Sequence, residues 1–153
     1  MHTIGVISDT HGLLRPEAAA ALQRSALIIH AGDVGDPKIL DELRQIAPAV
    51  AVRGNVDRGA WADRLPLTEL VEHGGVRLYV LHIIDELELD PPMAGFDAVI
   101  FGHSHKPKIE TKDGVLYFNP GSAGPRRFDL PVSVGRLTLA DGTLRGEIVH
   151  LDV

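Results

Sequence analysis

The stretch TIGVISDTHG, residues 3–12, runs from β-branched apolar residues into turn formers and carries Asp9 and His11 just past the apolar run. The run reads as a strand. RPEAAAALQRS (15–25) follows with a proline near its start and strong helix formers behind it, which reads as a helix. ALIIHAG (26–32) is a second apolar run. DPKILDELRQI (36–46) then places Asp36 before Pro37 and spaces Ile39, Leu40, Leu43 and Ile46 for a helix, and AVAVRG (49–54) reads as a third strand. The first third is therefore βαβαβ. Such alternation predicts parallel strands, whose ligand sites lie beyond their carboxyl ends, and Asp9, Asp33 and Asn55 fall there.

Beyond residue 66 the pattern changes. LTELVEH and VRLYVLH flank Gly74-Gly75, PKIETK and VLYFN flank Asp113-Gly114, and VGRLTLA and LRGEIVHL flank Asp141-Gly142. Each dipeptide is a hairpin turn signal, so three antiparallel hairpins are predicted. Between them DELELDPPMAG reads as a short helix and loop, and DAVIFG (97–102) as an apolar strand that delivers His103 and His105. The predicted architecture is one domain over 1–153, α/β in class, with two packed mixed sheets and helices outside.

Composition narrows the function classes. With 153 residues, 44% hydrophobic, the chain is long enough to bury most of its unfolded surface in one core. The net charge is −6 and the 15 Lys and Arg are scattered, which argues against a nonspecific grip on nucleic acid. No apolar stretch approaches bilayer-spanning length, and MHTIGVISDTHG lacks the regions of a signal peptide, so no membrane association and a cytoplasmic location are expected. There is no cysteine, which excludes thiol catalysis and thiolate metal sites.

Seven side chains with metal-binding donors end five predicted strands: Asp9, His11, Asp33, Asn55, His82, His103 and His105. Taken singly, each reads as a solvated loop residue or a helix cap. Their repetition at carboxyl ends favours convergence on one site. Residues two apart on an extended segment point the same way, so Asp9/His11 and His103/His105 are each expected to offer two donors to one cluster. Four imidazoles, two carboxylates and an amide oxygen suit Mn, Fe, Zn, Co or Ni better than Ca or Mg. Seven donors exceed one tetrahedral site and fit two ions with a shared carboxylate. His2, His73 and His150 read as exposed. His30, three residues before Asp33, reads either as a hydrogen-bonding support to the ligands or as a satisfied core histidine.

SDTHG, HAGDV, RGNVD, LH, GHSH and NPGS (119–122), in this order over residues 4–126, resemble the calcineurin-like metallophosphoesterase superfamily, and within it the small single-domain bacterial and archaeal phosphodiesterases. The resemblance implies a four-layer αββα sandwich and a dinuclear centre of two divalent transition-metal ions, manganese foremost. It implies that Asp9, His11 and His105 hold one ion, that Asn55, His82 and His103 hold the other, and that Asp33 bridges them. It places Asp33, Asn55 and His103 among the catalytic residues. The implied activity is hydrolysis of a small phosphodiester by a metal-bridging hydroxide. Ser122 and Arg126 in NPGSAGPRR are expected to contact substrate. Gly32, Gly54 and Gly102, each directly before a ligand, read either as sites of close backbone approach or as ordinary turns.

Two departures stand out. Many superfamily members read Gly-Asn-His at the third motif, whereas Val56 follows Asn55 here; Asp57 is then the candidate proton donor. Glycine is common after the ligand matched by His82, whereas Ile83 and Ile84 follow it here and predict a bulkier rim. A phosphomonoesterase acting on nucleotide or protein is one alternative. Another is a noncatalytic interaction scaffold like the retromer-coat subunit of this fold, in which metal-site histidines are partly replaced. The expected partner is a small phosphoester, and a homo-oligomer is left open.

Overall fold

A computed structural model describes residues 2–153. The strands β1 (His2–Ile7), β2 (Leu27–His30) and β3 (Ala49–Ala51) alternate with helices α1 (Pro16–Ala21) and α2 (Pro37–Arg44), and a short α3 (Ala60–Asp63) follows. Next come β4 (Thr68–His73) and β5 (Val76–Leu81), a 3-10 turn (Ile84–Glu86), α4 (Pro91–Ala94) and β6 (Ala98–Ile100). The chain finishes with β7 (Lys108–Lys112), β8 (Val115–Asn119), β9 (Ser133–Ala140) and β10 (Thr143–His150). The three hairpins form where their turn signals stand. Gly74-Gly75, Asp113-Gly114 and Asp141-Gly142 all take positive φ at both positions, as a type I′ turn requires.

The strands form two five-stranded mixed sheets, ordered β10-β9-β1-β2-β3 and β4-β5-β6-β8-β7. Within them β1-β2-β3 and β5-β6-β8 are parallel and the remaining pairs antiparallel. Because side chains alternate across a strand, the doubly apolar runs feed two layers each. Val6, Ile29, Val80, Ile100 and Phe118 meet between the sheets. Ile7 and Ile28 face outward against Leu22, Ile39, Leu40 and Leu43 around α1 and α2. On the far side Val99, Phe101 and Val115 are covered by Tyr79, Ile84 and Leu87. The order is therefore α-β-β-α, with a thin fourth layer. Each fully buried Ile or Phe contributes about 1.5–3 kcal/mol, so the inter-sheet layer is the main source of cohesion.

Helix lengths depart from the sequence reading. The helix expected over 15–25 stops at Ala21, because Arg24 turns left-handed with φ 68° and the Ser25 hydroxyl donates to the Leu22 carbonyl at 2.7 Å, closing the terminus. α2 starts as expected, with the Asp36 carboxylate accepting from the Lys38 amide. α3 was not anticipated; it is a single turn entered through Gly59 at φ 102°. Among the described residues no helix is long and apolar enough to cross a membrane.

Candidate metal centre

The parallel strands β1, β2, β3, β5 and β6 all deliver their carboxyl ends to one edge of the sandwich, and the seven singled-out side chains follow those ends. Asp9 is fully buried, and Asp33, His82 and His105 are nearly so. Asp9 Oδ1 lies 3.9 Å from His11 Nε2, 3.6 Å from His105 Nε2 and 3.8 Å from His82 Nε2. Asp33 Oδ2 lies 3.6 Å from His11 Nε2 and 3.2 Å from His82 Nε2. Donors of Asp9, His11 and His105 form one close group, and those of Asp33, His82 and His103 form a second. Asn55 joins the second group through its Oδ1, 3.2 Å from His103 Nδ1.

Asp9 Oδ1, His11 Nε2 and His82 Nε2 are buried and have no hydrogen-bond partner. Leaving such atoms bare costs about 1–3 kcal/mol each. Two donors held tetrahedrally about 2.1 Å from one ion stand about 3.4 Å apart, close to the spacings here. The orphaned atoms and the N,O character of the set therefore fit divalent transition metals.

The surrounding hydrogen bonds aim these atoms. His82 Nδ1 donates to the Ala31 carbonyl at 2.7 Å, which fixes the tautomer and leaves Nε2 with its lone pair toward the carboxylates. The other oxygen of Asp9, Oδ2, accepts from the Ser8 hydroxyl at 2.8 Å and the His103 amide at 3.1 Å. Asp33 Oδ1 accepts from the Val56 amide at 3.0 Å. In each carboxylate one oxygen is tied down and the other faces the cluster.

His30 is a support inside the core. Its Nδ1 accepts from the Gly32 amide at 3.1 Å, so its proton sits on Nε2 and is donated at 2.9 Å to the Thr10 hydroxyl, which itself donates to the Val34 carbonyl. That chain ties the Asp9–His11 loop to the Asp33 loop. Burial drives the His30 pKa down to about 3, with His82 adding to the effect, so the ring stays neutral.

Charges within the cluster are balanced rather than independent. Burial pushes the Asp9 carboxyl up, opposed by His82, the Ser8 hydroxyl and His105. Burial would raise Asp33 too, but the nearby His82, the hydrogen bond from the Val56 amide and His11 hold it low. Burial disfavours the His82 cation, but Asp33, Asp9 and the Ala31 carbonyl raise its pKa overall. His105 is lowered by burial, and Arg127 and His11 lower it further against the pull of Asp9.

The backbone corrects the extended geometry expected for the paired ligands. Asp9, His11, Asp33, His103 and His105 have φ of 56°, 47°, 56°, 73° and 64°, all left-handed. Asp tolerates this region better than most residues, yet such positions cost about 1–3 kcal/mol each and persist only where their surroundings impose them. Here the amides of Asp9 and His11 donate to the carbonyls of Gly32 and Asp33, at 3.0 and 2.9 Å. The glycines before the ligands are sites of close approach. A Cβ on Gly54 would stand 2.1 Å from Asp33 Oδ1, one on Gly102 2.1 Å from Ser8 Oγ, and one on Gly32 2.6 Å from His82 Nδ1.

Three expected substrate or proton contacts are reassigned. The Arg126 guanidinium is exposed and donates to the Val153 carbonyl at 3.2 Å; Arg127, one residue on, is the arginine whose charge reaches His105. Ser122 is buried, and its hydroxyl donates to the Asp9 carbonyl at 3.1 Å, so it braces the Asp9 loop. Asp57 is also buried, with both oxygens engaged: Oδ2 accepts from the Val34 and Gly54 amides and Oδ1 from the Gly35 amide, at 3.1, 2.8 and 2.8 Å. A carboxylate committed to three amides anchors a loop and is not presented as a proton donor. Val56 is exposed at that rim.

Asn119 was not singled out on its own, although it opens the NPGS motif. Its Nδ2 donates to the Gly102 carbonyl at 3.1 Å and the Ser104 hydroxyl at 3.2 Å, while its Oδ1 accepts from the Gly121 amide, so it shapes the loop that carries His103 and His105. Beside Asn55 and His82 a cavity of about 510 Å³ opens, walled in part by Ile83; Ile84 instead packs on the outer face of the second sheet.

A site of this kind, at the shared edge of two mixed sheets, is that of the metallophosphoesterases. The profile of the calcineurin-like phosphoesterase superfamily domain matches residues 2–142, and the chain belongs to that superfamily. It is 38% identical over 151 residues to a probable metallophosphoesterase of Methanocaldococcus jannaschii, covering 90% of this chain and 76% of that one. In fold it is similar to an archaeal phosphodiesterase, with a TM-score of 0.79 at 24% identity over 96% of this chain and 99% of the other. It is equally similar to Vps29 of Chaetomium thermophilum, with a TM-score of 0.78 at 20% identity over 99% and 97% of the two chains. At such identities the two structures speak for the fold alone. The chain is thus a small metal-dependent phosphoesterase by family, with the αββα sandwich that its motifs imply.

Proposed function

We propose that the chain is a dinuclear phosphodiesterase that hydrolyses a small phosphodiester. The observation that carries this reading is the set of orphaned donors, Asp9 Oδ1, His11 Nε2 and His82 Nε2, gathered within 4 Å of one another's carboxylate partners in a site built by five loops. Asp9, His11 and His105 would hold one ion, and Asn55, His82 and His103 the other. Asp33, whose Oδ2 lies near both His11 and His82, would serve both. When bound, two such cations supply an activated water and neutralise charge on the phosphoryl oxygens. Manganese is the preferred metal, with iron, zinc, cobalt and nickel compatible with the same donors.

The protein's own part is positioning. Tied oxygens on Asp9 and Asp33 and the fixed His82 tautomer present lone pairs without reorganisation, which is where preorganised sites gain their rate. The exposed Arg127, whose charge helps to lower the His105 pKa, adds positive potential toward the site that suits an anionic substrate. Val56 occupies the motif position at which the resemblance implies a proton donor to the leaving oxygen, so this reading has no such donor there. The location that goes with this reading is the cytoplasm.

The test is hydrolysis of bis(4-nitrophenyl) phosphate and of 4-nitrophenyl phosphate by metal-stripped and manganese-loaded protein. Metal-dependent turnover that favours the diester is expected, and preference for the monoester would support the phosphomonoesterase alternative. The scaffold alternative draws on the likeness to Vps29; it requires a metal-replete protein that cleaves neither ester.

A further inference from the structure

The cavity beside the second ligand group has a composition of its own. Asn55 and His82 are among its lining residues, so it adjoins the second ligand group of the candidate metal centre. Apolar side chains follow along its length: Leu67, Tyr79, Leu81, Ile83 and Leu87. Its remaining charged residues are Arg53, Asp85, Glu86 and Glu88. The guanidinium of Arg53 is already paired with Asp63 at 3.3 Å, whereas Asp85, Glu86 and Glu88 are exposed and have no cationic partner among the described residues. An anionic phosphoester would meet the metal site at one end of the cavity and carboxylates among its remaining lining residues.

This polarity suits one kind of ligand. A phosphate group bound at the metal centre extends an ester arm into the cavity. An apolar body on that arm would gain from the Leu and Ile walls, and about 510 Å³ holds an arm of several carbon atoms or a ring. A cationic group at its end would be attracted by three uncompensated carboxylates, whereas a second phosphate or a carboxylate would be repelled. Resting on the phosphodiesterase reading above, we propose that this cavity is the subsite for one ester arm and selects an organic alcohol carrying an ammonium group over an anionic one. Ile83 supplies part of the wall and so belongs to the selectivity of this protein.

The experiment uses full-length manganese-loaded protein hydrolysing bis(4-nitrophenyl) phosphate, with three single-arm phosphates as competitive inhibitors. Phosphocholine carries a cationic arm, 3,3-dimethylbutyl phosphate has the same shape without charge, and 4-phosphonooxybutanoate carries a carboxylate. The inhibition constants are expected to rise in that order, with about tenfold between first and last. In Asp85→Asn/Glu86→Gln/Glu88→Gln that spread should shrink toward twofold, and in the control Glu17→Gln/Asp41→Asn/Glu42→Gln, on α1 and α2, it should persist. Equal constants for all three inhibitors, or a spread that survives neutralisation of the cavity carboxylates, overturns the proposal while leaving the phosphodiesterase reading intact. Absence of any metal-dependent hydrolysis by the wild-type protein overturns both.

Discussion

Asp57→Asn separates two roles for the residue after Val56. In the structure its carboxylate takes three backbone amides from two loops, those of Val34, Gly35 and Gly54. An asparagine can keep its oxygen where Oδ2 stands and retain the Val34 and Gly54 bonds, but its amino group then confronts the Gly35 amide, donor against donor. One buried amide left bare costs about 1–3 kcal/mol, and the two surviving bonds lose the ionic part of their strength, since bonds to charged groups are worth about 1.5–3 kcal/mol against about 1 for neutral ones. The sum is about 3 kcal/mol. For a chain of this length that lowers Tm by about 10 °C, and urea unfolding should show a lower midpoint at an unchanged slope. Gly54 and the Asp33 loop move with it, so metal content should fall as well. A variant with wild-type stability and two bound metals, but with an altered pH profile and a new dependence on the leaving group, would refute the anchor and restore Asp57 as the acid.

Asp33→Asn should lose metal from both groups and lose turnover together, while His150→Ala does neither; elemental analysis alongside an activity assay reads this out. Without a positioned acid, worth about 10²- to 10⁴-fold, aryl diesters should be cleaved far faster than alkyl ones, and kcat/KM should fall steeply with leaving-group pKa; a flat dependence contradicts the absence of a donor at Val56. His30, with its pKa pushed down to about 3 from an unfolded value near 6.5, binds its proton only on unfolding, so it makes stability fall as pH drops from about 6.5 toward 3. Between pH 6.5 and 4.5 that is a loss of about 2–3 kcal/mol in urea unfolding, and His30→Gln should remove that part of the slope.

The sheets were legible because the signals there are local. β-branched runs, helical spacing and three two-residue turns are each settled within a few residues, and both sheets follow from them. The seven candidate ligands were legible for a related reason: a polar side chain directly after an apolar strand lies at a sheet edge. What failed is whatever depends on dihedrals or on one residue of register. Spacing alone suggested extended Asp9/His11 and His103/His105 pairs, but the loops bend left-handed, held by partners 22 to 94 residues away such as Gly32, Asp33 and Asp9. Arg126 and Arg127 are indistinguishable in sequence; only the fold sends one to Val153 and brings the charge of the other to His105. Ser122 and Asp57 look reactive as isolated letters and turn out to be spent on backbone groups.

The central claim is that the two donor groups hold two ions. Anomalous diffraction from crystals of the manganese-loaded protein and of its His105→Ala variant tests it most directly. Two peaks are expected in the wild type, one bonded to Asp9, His11 and His105 and the other to Asn55, His82 and His103, with Asp33 reaching both, and the variant should lose the first peak preferentially. A single wild-type peak, or equal loss of both peaks in the variant, would contradict the account.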